Sequence, residues 1–159
     1  MEARRSKIDY YLDIADAAQE RSTCLRRRYG AIIVRDDEIV ATGYNGAPRG
    51  RQNCTDLGFC ARKQLNVPSG ERYELCRSVH AEANAIISAA RRDMMGATLY
   101  LVGRDSETGE YNPDTTPCSM CRRLIINAGI ARVVCRVGAE EYTDTDVNEW
   151  IEQDDSLQP

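Results

Sequence analysis

The order of secondary-structure elements predicted along this 159-residue chain indicates an α/β fold, in which a mixed β-sheet carries helices on both faces. Segments rich in β-branched residues alternate with segments whose apolar residues recur at helical spacing, in the order helix, strand, strand, helix, strand, helix, strand. Two motifs with chemically reactive side chains, at residues 80–82 and 117–121, fall where predicted helices begin. Active sites in such sheets gather at these positions. Neither a repeat nor a linker interrupts this pattern, so we expect residues 1–159 to form a single domain.

The first part of the chain predicts a helix followed by a β-hairpin. Apolar residues recur at helical spacing from residue 7 to residue 21, with charged residues between them, which indicates an amphipathic helix. Segments 30–35 and 38–44 are rich in β-branched residues and are separated by two turn-forming aspartates. The region that follows, 46–78, lacks clean periodicity, and an irregular connection of that length usually has a function or a cross-link.

The second half of the chain predicts helices that alternate with strands. These elements are expected at residues 81–92, 97–102, 117–129, 131–137 and 140–152, of which the second and fourth are strands. Pro117 stands in the first turn of its helix, where proline is tolerated, and Gly129 ends that helix. A polar, turn-rich segment at 103–116 precedes this helix, and a polar tail is expected at 153–159.

Two short motifs point to a hydrolytic zinc site. Cys118 and Cys121 lie three residues apart in the first turn of a predicted helix, so both sulfur atoms can reach one metal ion. His80, the only histidine in the chain, supplies a nitrogen ligand from elsewhere. Three protein ligands leave a fourth position for water, whose pKa zinc lowers to about 7. Glu82, two residues after the histidine, is the candidate general acid/base.

A plainer interpretation of the same residues stays open at this point. A Cys-x-x-Cys motif also occurs as a redox pair or within a structural zinc knot, and a lone histidine is often a hydrogen-bonded core residue. We favour the catalytic interpretation because His80 and Glu82 occupy the spacing that zinc deamination requires.

Charge and composition favour a small-molecule substrate. The chain has 21 basic and 25 acidic residues and a net charge of -4, which argues against a protein whose main task is to bind a phosphate backbone. No apolar run approaches the roughly 18 residues that a membrane span needs, and the first residues do not resemble a signal peptide. We therefore expect a soluble, cytoplasmic protein without a membrane partner, for which nucleic acid is an improbable substrate.

The remaining cysteines predict a second metal site. Seven cysteines without an export signal indicate reduced thiols rather than disulfides. Four of them flank or lie within the irregular region: Cys24, Cys54, Cys60 and Cys76. We favour a second, structural zinc site for these four, because an irregular segment gains most from cross-linking by metal. The alternative is that they are small buried apolar residues, which suits Cys135 in its predicted core strand.

Three further segments complete a family resemblance. They are RSTC at 21–24, GYNGAP at 43–48 and IINAGI at 125–130. Together with the His-x-Glu and Pro-Cys-x-x-Cys motifs, which mark zinc nucleobase deaminases, they make nearly the whole chain resemble the cytidine deaminase superfamily. Within that superfamily the GYNG-x-P loop is similar to that of the deoxycytidylate (dCMP) deaminases.

The resemblance implies a three-layer α/β/α cytidine deaminase-like fold with a central mixed sheet of about five strands. It implies conversion of dCMP to dUMP and ammonia in pyrimidine deoxynucleotide metabolism. The site residues that it implies are His80, Cys118 and Cys121 as zinc ligands, Glu82 as proton shuttle, and Asn45 and Ala81 as substrate contacts.

The resemblance also carries expectations about assembly and regulation. Members of the family are commonly homohexamers, and many are activated by dCTP and inhibited by dTTP, so we expect a homo-oligomer with these effectors and with Mg²⁺ beside a triphosphate. In some phage relatives a second zinc uses cysteines that match Cys24 and Cys54, together with histidines. Here Cys60 and Cys76 are the residues left to complete that site.

Contacts with the substrate are predicted less directly. Arg26 and its neighbours Arg27 and Arg28 are candidates for the 5′-phosphate, because guanidinium pairs with phosphate bidentately, although they also fit a solvated basic surface. Tyr142 is a candidate to cover the base, with ordinary packing of the last helix as its alternative. Many relatives lack the segment at 103–116, which leaves substrate identity and effector control open.

Three other functions therefore remain as alternatives. One is deamination of another cytosine nucleotide, such as dCTP or a 5-modified dCMP. Another is deamination of a base in tRNA or single-stranded DNA, which a basic groove with stacking aromatic residues would favour. A non-catalytic zinc or nucleotide-binding module is the third, and the presence of Glu82 argues against it.

Overall fold

One five-stranded sheet organises the protein, in a computed structural model that describes residues 3–154 and residue 157. The strands lie in the order β2-β1-β3-β4-β5. Strands β3 and β4 are parallel, and the other neighbouring pairs are antiparallel, so the predicted mixed sheet is confirmed. Their bounds are Arg27–Arg35 (β1), Glu38–Tyr44 (β2), Thr98–Asp105 (β3), Arg132–Arg136 (β4) and Tyr142–Asp146 (β5).

Helices cover both faces of the sheet, which gives the expected three layers. Their bounds are Lys7–Gln19 (α1), Cys54–Leu57 (α2), Ala61–Gln64 (α3), Ala81–Ile87 (α4), Arg91–Met94 (α5), Ser119–Ala128 (α6) and Asn148–Glu152 (α7). A short 3₁₀ helix spans Tyr73–Leu75. None of the helices in the described part of the chain is long and apolar enough to cross a membrane.

The alternation of side chains along β1 creates two separate cores. Ile32 and Val34 belong to the core beneath α1, whereas Ala31 and Ile33 belong to the core beneath α4 and α6. This alternation is the period of two expected for a strand that is buried on both faces. The consequence is that α1 stands on one side of the sheet and the helices with the zinc motifs stand on the other.

Two glycines allow helices to approach the sheet closely, one on each face. A Cβ atom on Gly30 would lie 2.1 Å from the carbonyl oxygen of Ala15 in α1, and one on Gly43 would lie 2.3 Å from that of Ala81 in α4. No side chain fits at such distances, so each contact requires glycine. Gly43 therefore fixes the height at which the first turn of α4 meets the sheet.

Two predicted helices differ from the structure. The segment expected to be helical at 140–152 is wrong in its first half, because Tyr142–Asp146 forms the edge strand β5 and the helix begins only at Asn148. Threonines alternate with acidic residues there and pair with the open edge of β4, which outweighs helical propensity. The helix expected at 81–92 breaks after Ile87 and resumes as α5. In the predicted tail, residues 155, 156, 158 and 159 lie outside the described residues.

The segment at 103–116 is anchored to the face that carries α1. The Arg104 guanidinium donates two hydrogen bonds to the Asp16 carboxylate, at 2.7 and 2.6 Å, and stacks on the Tyr111 ring at 3.9 Å. From there the chain turns back toward the opposite side of β1, where Asn112 donates to the hydroxyl oxygen of Tyr29 at 3.1 Å. The segment is therefore an ordered connection that reaches from α1 to the zinc motifs.

Candidate active site

The two zinc motifs meet because two helices begin at the same end of the sheet. His80 is the N-cap residue of α4 and Cys118 is the N-cap residue of α6, both with extended backbone. His80 Nδ1 lies 3.5 Å from the Sγ atoms of both Cys118 and Cys121. The three ligand atoms all lie within 4.8 Å of one another.

This geometry fits a zinc ion. Bonds of about 2.0 Å to nitrogen and 2.3 Å to sulfur place the ligand atoms of a tetrahedral centre roughly 3.5 Å apart, as His80 and the cysteines are here. Three ligands leave one position, and both His80 and Cys118 line the neighbouring cavity. Among the described residues, no other group of three or more histidine, cysteine or acidic side chains converges in this way.

Hydrogen bonds among the three candidate ligands favour a thiolate at Cys118. A hydrogen bond from the Cys121 thiol, and another with His80, lower the pKa of Cys118 to about 4, although burial opposes the shift. The same shared proton raises the pKa of Cys121. The hydrogen bond with Cys118 also raises the pKa of His80. Zinc binding displaces such protons, because it requires thiolates and a neutral imidazole.

Glu82 lies in the first turn of α4 and is buried, with 5% of its surface exposed. Burial raises the pKa of its carboxyl, although backbone hydrogen bonds and the charge of His80 act in the opposite direction. A carboxyl group whose pKa moves toward neutrality is suited to accept and return a proton. The side chain also lines the cavity beside the ligands.

The cavity beside these residues has a volume of about 120 Å³. At one end it contains His80, Glu82 and Cys118, and its other walls include three arginines. Those arginines are Arg26, Arg27 and Arg62. A cavity with hydrolytic groups and cationic groups on its walls suits a small anionic substrate.

Asn45 is one of the predicted substrate contacts that line the cavity. Its Oδ1 accepts from the Tyr29 amide at 2.9 Å and from the hydroxyl of Ser22, and its Nδ2 donates to the Arg27 carbonyl at 2.9 Å. These bonds fix the side chain. Within the described residues they use one of the two Nδ2 hydrogens, so the other is left for a ligand.

Of the other predicted substrate contacts, some line the cavity and others do not. Arg26 lines the cavity, whereas Arg28 points away and donates to the Ser106 carbonyl at 3.1 Å. Ala81 is fully buried in the first turn of α4. Tyr142 is not among the cavity-lining residues, because it lies on the edge strand β5, where 43% of its surface is exposed.

Sequence patterns missed three side chains of the site. Tyr29 lies on β1, on the same face as Ala31, but the predicted strand began one residue too late to include it. Arg62 and Tyr73 belong to the irregular region and also line the cavity. The Tyr73 ring meets the His80 ring edge-on at 5.2 Å, and the Arg62 guanidinium lies 4.7 Å above the Tyr73 ring. A predicted β1 that began at least one residue earlier would have included Tyr29. No periodic pattern marks Arg62 or Tyr73.

The four cysteines of the predicted second site are neighbours but do not converge. Burial raises the pKa of Cys54, and repulsion from the other three thiolates raises it further. The amide of Arg26 donates to Cys24 Sγ and that of Ser78 donates to Cys76 Sγ, both at 3.4 Å. Within the described part of the chain, no three of the four sulfur atoms lie within 4.8 Å of one another.

Known proteins with similar sequences belong to one family. Residues 5–137 match the sequence profile of the cytidine and deoxycytidylate deaminase zinc-binding region. A deoxycytidylate deaminase of Mycobacterium phage D29 is 40% identical over 131 residues, which cover 79% of this chain and 91% of the phage protein. A deoxycytidylate deaminase of Schizosaccharomyces pombe is 37% identical over 132 residues, which cover 82% of this chain but 37% of the yeast protein.

Structural similarity leads to the same family. The dCMP deaminase of cyanophage S-TIM5 in its apo form superimposes with a TM-score of 0.58 at 25% identity, over 87% of this chain and 88% of the phage chain. Its complex with dCMP and dUMP gives a TM-score of 0.56 at 26% identity, over 84% of each chain. Because the matching profile spans most of the sequence, including both zinc motifs, the chain belongs to the cytidine and deoxycytidylate deaminase family.

Proposed function

We propose that this protein is a zinc-dependent deaminase that hydrolyses dCMP to dUMP and ammonia. The observation that carries the proposal is the convergence of His80, Cys118 and Cys121 beside the buried Glu82, at the end of a cavity with arginine-lined walls. The names of the D29 and yeast relatives support the substrate. The crystallised complex of the S-TIM5 enzyme with dCMP and dUMP supports it as well.

The reaction adds water across the N3–C4 bond of cytosine, with oxygen on C4, and then removes the amino group from C4. When bound to His80, Cys118 and Cys121, zinc supplies a water nucleophile that loses its proton near neutral pH. Glu82 takes that proton and delivers it to ring N3. It then takes the proton of the hydroxyl group that has been added to C4 and delivers it to the amino group, so that the C4 carbonyl forms and the C–N bond breaks to release ammonia. The burial of Glu82 keeps bulk water from competing for these protons.

The walls of the cavity provide the remaining contacts of this proposal. The free Nδ2 hydrogen of Asn45 binds a sugar hydroxyl, and Arg26 binds the 5′-phosphate through charge-assisted hydrogen bonds. The backbone of Ala81, in the first turn of α4, contacts the base.

A second zinc ion is part of the same proposal, as a structural element. Cys24, Cys54, Cys60 and Cys76 are its ligands, and they would tie the 46–78 region to the start of β1. The two N–H···S hydrogen bonds to Cys24 and Cys76 support this assignment, because such bonds orient thiolates toward metal. Residues 1–159 then act as a single deaminase domain.

We further propose a homohexamer that acts in the cytoplasm and responds to dCTP with Mg²⁺ and to dTTP. Exposed apolar side chains on the outer helices support an assembly, since 70% of Ile87 in α4 and 44% of Leu124 in α6 are exposed. Light scattering of the purified protein, with and without each nucleotide, tests the assembly and the effectors together. A monomer that is insensitive to both nucleotides would contradict this part.

The substrate is tested by ammonia release from the zinc-loaded protein. The panel contains dCMP, deoxycytidine, dCTP, 5-methyl-dCMP and a cytosine-containing oligonucleotide. We expect dCMP to have the highest kcat/KM, with a gain over deoxycytidine of about one to two powers of ten for each charged phosphate contact, from about 1.5 to 3 kcal/mol per bond.

Other outcomes would correct the proposal in distinct ways. Equal kcat/KM for deoxycytidine and dCMP would contradict the proposed contact with the 5′-phosphate. A preference for dCTP, 5-methyl-dCMP or the oligonucleotide would replace the substrate while keeping the zinc chemistry. Retention of activity by a protein stripped of zinc would contradict the mechanism itself.

A further inference from the structure

Arg62, in the short helix α3, is a buried arginine that has no ionic partner among the residues the structure describes. Only 7% of its surface is exposed, and it lines the same cavity as Glu82. One terminal nitrogen donates to the carbonyl oxygens of Pro68, at 3.1 Å, and Glu71, at 2.7 Å. Its Nε atom is buried and has no hydrogen-bond partner among the described residues. An N–H donor that points at no acceptor is costly in a protein interior.

The charge of this side chain makes the missing partner more significant. Arginine stays protonated at any pH that a protein experiences, and a buried charge without a counter-charge is strongly unfavourable. Arg136, which is 3% exposed, pairs with Asp9 and Asp13 on the α1 face. No carboxylate in the described part of the chain pairs with Arg62 in that way. The arrangement therefore has a place for an anion that comes from outside the chain.

The position of Arg62 relates it to the zinc ligands. Its guanidinium stacks at 4.7 Å over Tyr73, and the Tyr73 ring meets His80 edge-on at 5.2 Å. One aromatic ring thus separates the cation from a ligand of the metal. A nucleotide whose base reaches the zinc site extends its phosphate along the wall of the cavity, which Arg62 lines together with Arg26 and Arg27.

We propose that Arg62 binds the 5′-phosphate of the substrate and determines the preference for nucleotide over nucleoside. Its second terminal nitrogen, Nη1, makes no hydrogen bond within the described residues and donates charge-assisted hydrogen bonds to the phosphate oxygens. The inference rests on the proposed function, since it assigns a residue to the phosphate of that substrate. It adds to Arg26 a cation that is already buried and held in place by two carbonyl groups.

A purely structural role for Arg62 makes a different prediction. In that role its bonds to Pro68 and Glu71 would hold Tyr73 against His80, and losing them would disturb the zinc ligand for every substrate alike. A phosphate-binding role affects only substrates that carry a phosphate. The ratio of kcat/KM for dCMP to kcat/KM for deoxycytidine separates the two roles.

The test compares Arg62→Gln with Arg62→Lys and with Lys63→Gln. Lys63 is the exposed neighbour in α3 and does not line the cavity, so Lys63→Gln repeats the charge change away from the site. We expect Arg62→Gln to lower kcat/KM for dCMP at least tenfold while deoxycytidine changes less than threefold. Arg62→Lys should retain an intermediate preference for dCMP, because it keeps the charge but loses the guanidinium that the Pro68 and Glu71 carbonyl groups hold in place, and Lys63→Gln should resemble wild type.

If Arg62→Gln lowers kcat/KM for dCMP and for deoxycytidine by the same factor, the inference is overturned. It is also overturned if the ratio of the two kcat/KM values is the same as in wild type. Calorimetric binding of dUMP and of inorganic phosphate gives a readout that needs no turnover: Arg62→Gln should bind both at least tenfold more weakly, and equal binding would overturn the inference. If Arg62→Gln does not fold, the dCMP ratio of Arg62→Lys decides, since a ratio equal to that of wild type overturns the inference.

These results are separable from the proposed function. If wild type prefers dCTP and Arg62→Gln selectively loses phosphorylated substrates, the substrate proposal fails and the assignment of Arg62 stands. If wild type prefers dCMP and Arg62→Gln keeps that preference in full, the substrate proposal stands and the assignment of Arg62 fails.

Discussion

The three residues of the zinc motifs and the four cysteines proposed to bind a second zinc differ in how their positions are fixed. His80, Cys118 and Cys121 lie at the starts of α4 and α6, and their ligand atoms lie within 4.8 Å of one another. The four cysteines around the 46–78 region are neighbours whose sulfur atoms do not meet. Cysteine side chains therefore converge in one region and not in the other.

Packing explains the difference. Helices α4 and α6 bury Ala81, Ala85 and Ile125 against the sheet, so the core fixes where their first turns lie. Helices α2 and α3 are four residues long, and the segment that joins them to α4 has little buried apolar surface. Ligands on core-packed helices are preorganised, whereas ligands in such a segment depend on the metal to supply the ordering free energy.

The largest expected effect separates chemistry from metal binding at the preorganised site. Glu82→Gln should lower kcat by about 10² to 10⁴, the usual contribution of general acid/base catalysis, while zinc content and fold stay unchanged. Steady-state kinetics and metal analysis on the same sample measure both. Glu74→Gln, an exposed glutamate, is the control and should behave as wild type. Near wild-type turnover in Glu82→Gln would exclude the proton-shuttle role.

Gly43→Ala should break the preorganisation itself. The new Cβ would lie 2.3 Å from the Ala81 carbonyl, so α4 must move outward and carry His80 and Glu82 with it. We expect a loss of about 1 to 3 kcal/mol in the free energy of unfolding and at least a tenfold loss of kcat. Denaturant unfolding and kinetics measure these quantities.

Gly30→Ala is the matched control, because its Cβ would meet α1 on the opposite face at 2.1 Å. It should lose similar stability but keep kcat per folded molecule. Equal losses of kcat in both variants would show that α4 does not position the site independently of general stability.

A metal count tests the contrast between the two ligand sets. We expect two zinc ions per wild-type chain, and one in each of the variants Cys54→Ser and Cys118→Ser. Limited proteolysis should then cut the 46–78 region faster in Cys54→Ser than in Cys118→Ser, because only the former loses the metal that orders it. A fully active wild-type protein with one zinc per chain would return the four cysteines to an ordinary packing role.

The smallest expected effect lies on the opposite face of the sheet. Burial raises the pKa of Asp16, but hydrogen bonds from Arg104 and Tyr111 outweigh it, so the pKa lies below its usual value of 3.8. The ionised carboxylate therefore stabilises the folded state above pH 3.8, and this contribution disappears as the pH falls through the folded-state pKa. Asp16→Asn should lose about 1 kcal/mol at neutral pH, and the difference from wild type should shrink in acid.

Urea unfolding at several pH values measures this difference, with deamination as the control. Activity should stay unchanged, since Asp16 lies in α1, contacts the 103–116 segment and does not line the cavity. A pH-independent difference in stability would show that the ion pair contributes nothing.

Sequence patterns predict the parts of the molecule whose residues follow a regular period or a motif of fixed spacing. Periodicity predicts a mixed sheet and four of its five strands, motif spacing predicts that His80, Cys118 and Cys121 meet, and the expected number of about five strands comes from the family resemblance. The segment that contains Tyr142 is predicted to be helical but forms an edge strand, because a polar segment is compatible with a strand that is exposed on both faces. Arg62 was missed because its burial depends on bonds to Pro68 and Glu71, which no local pattern encodes.

The inner position of β1 has a consequence for the newly synthesised chain. On one side this strand pairs with β2, and both strands have been synthesised once residue 44 is added. On the other side it pairs with β3, where Val34 is opposite Thr98. While residues 46 to 97 leave the ribosome, the second edge of a largely apolar strand is unpaired, and such an edge is a template for pairing with another chain. Aggregation during synthesis is therefore the expected first sign of any change that delays β3, before activity of the folded protein is affected.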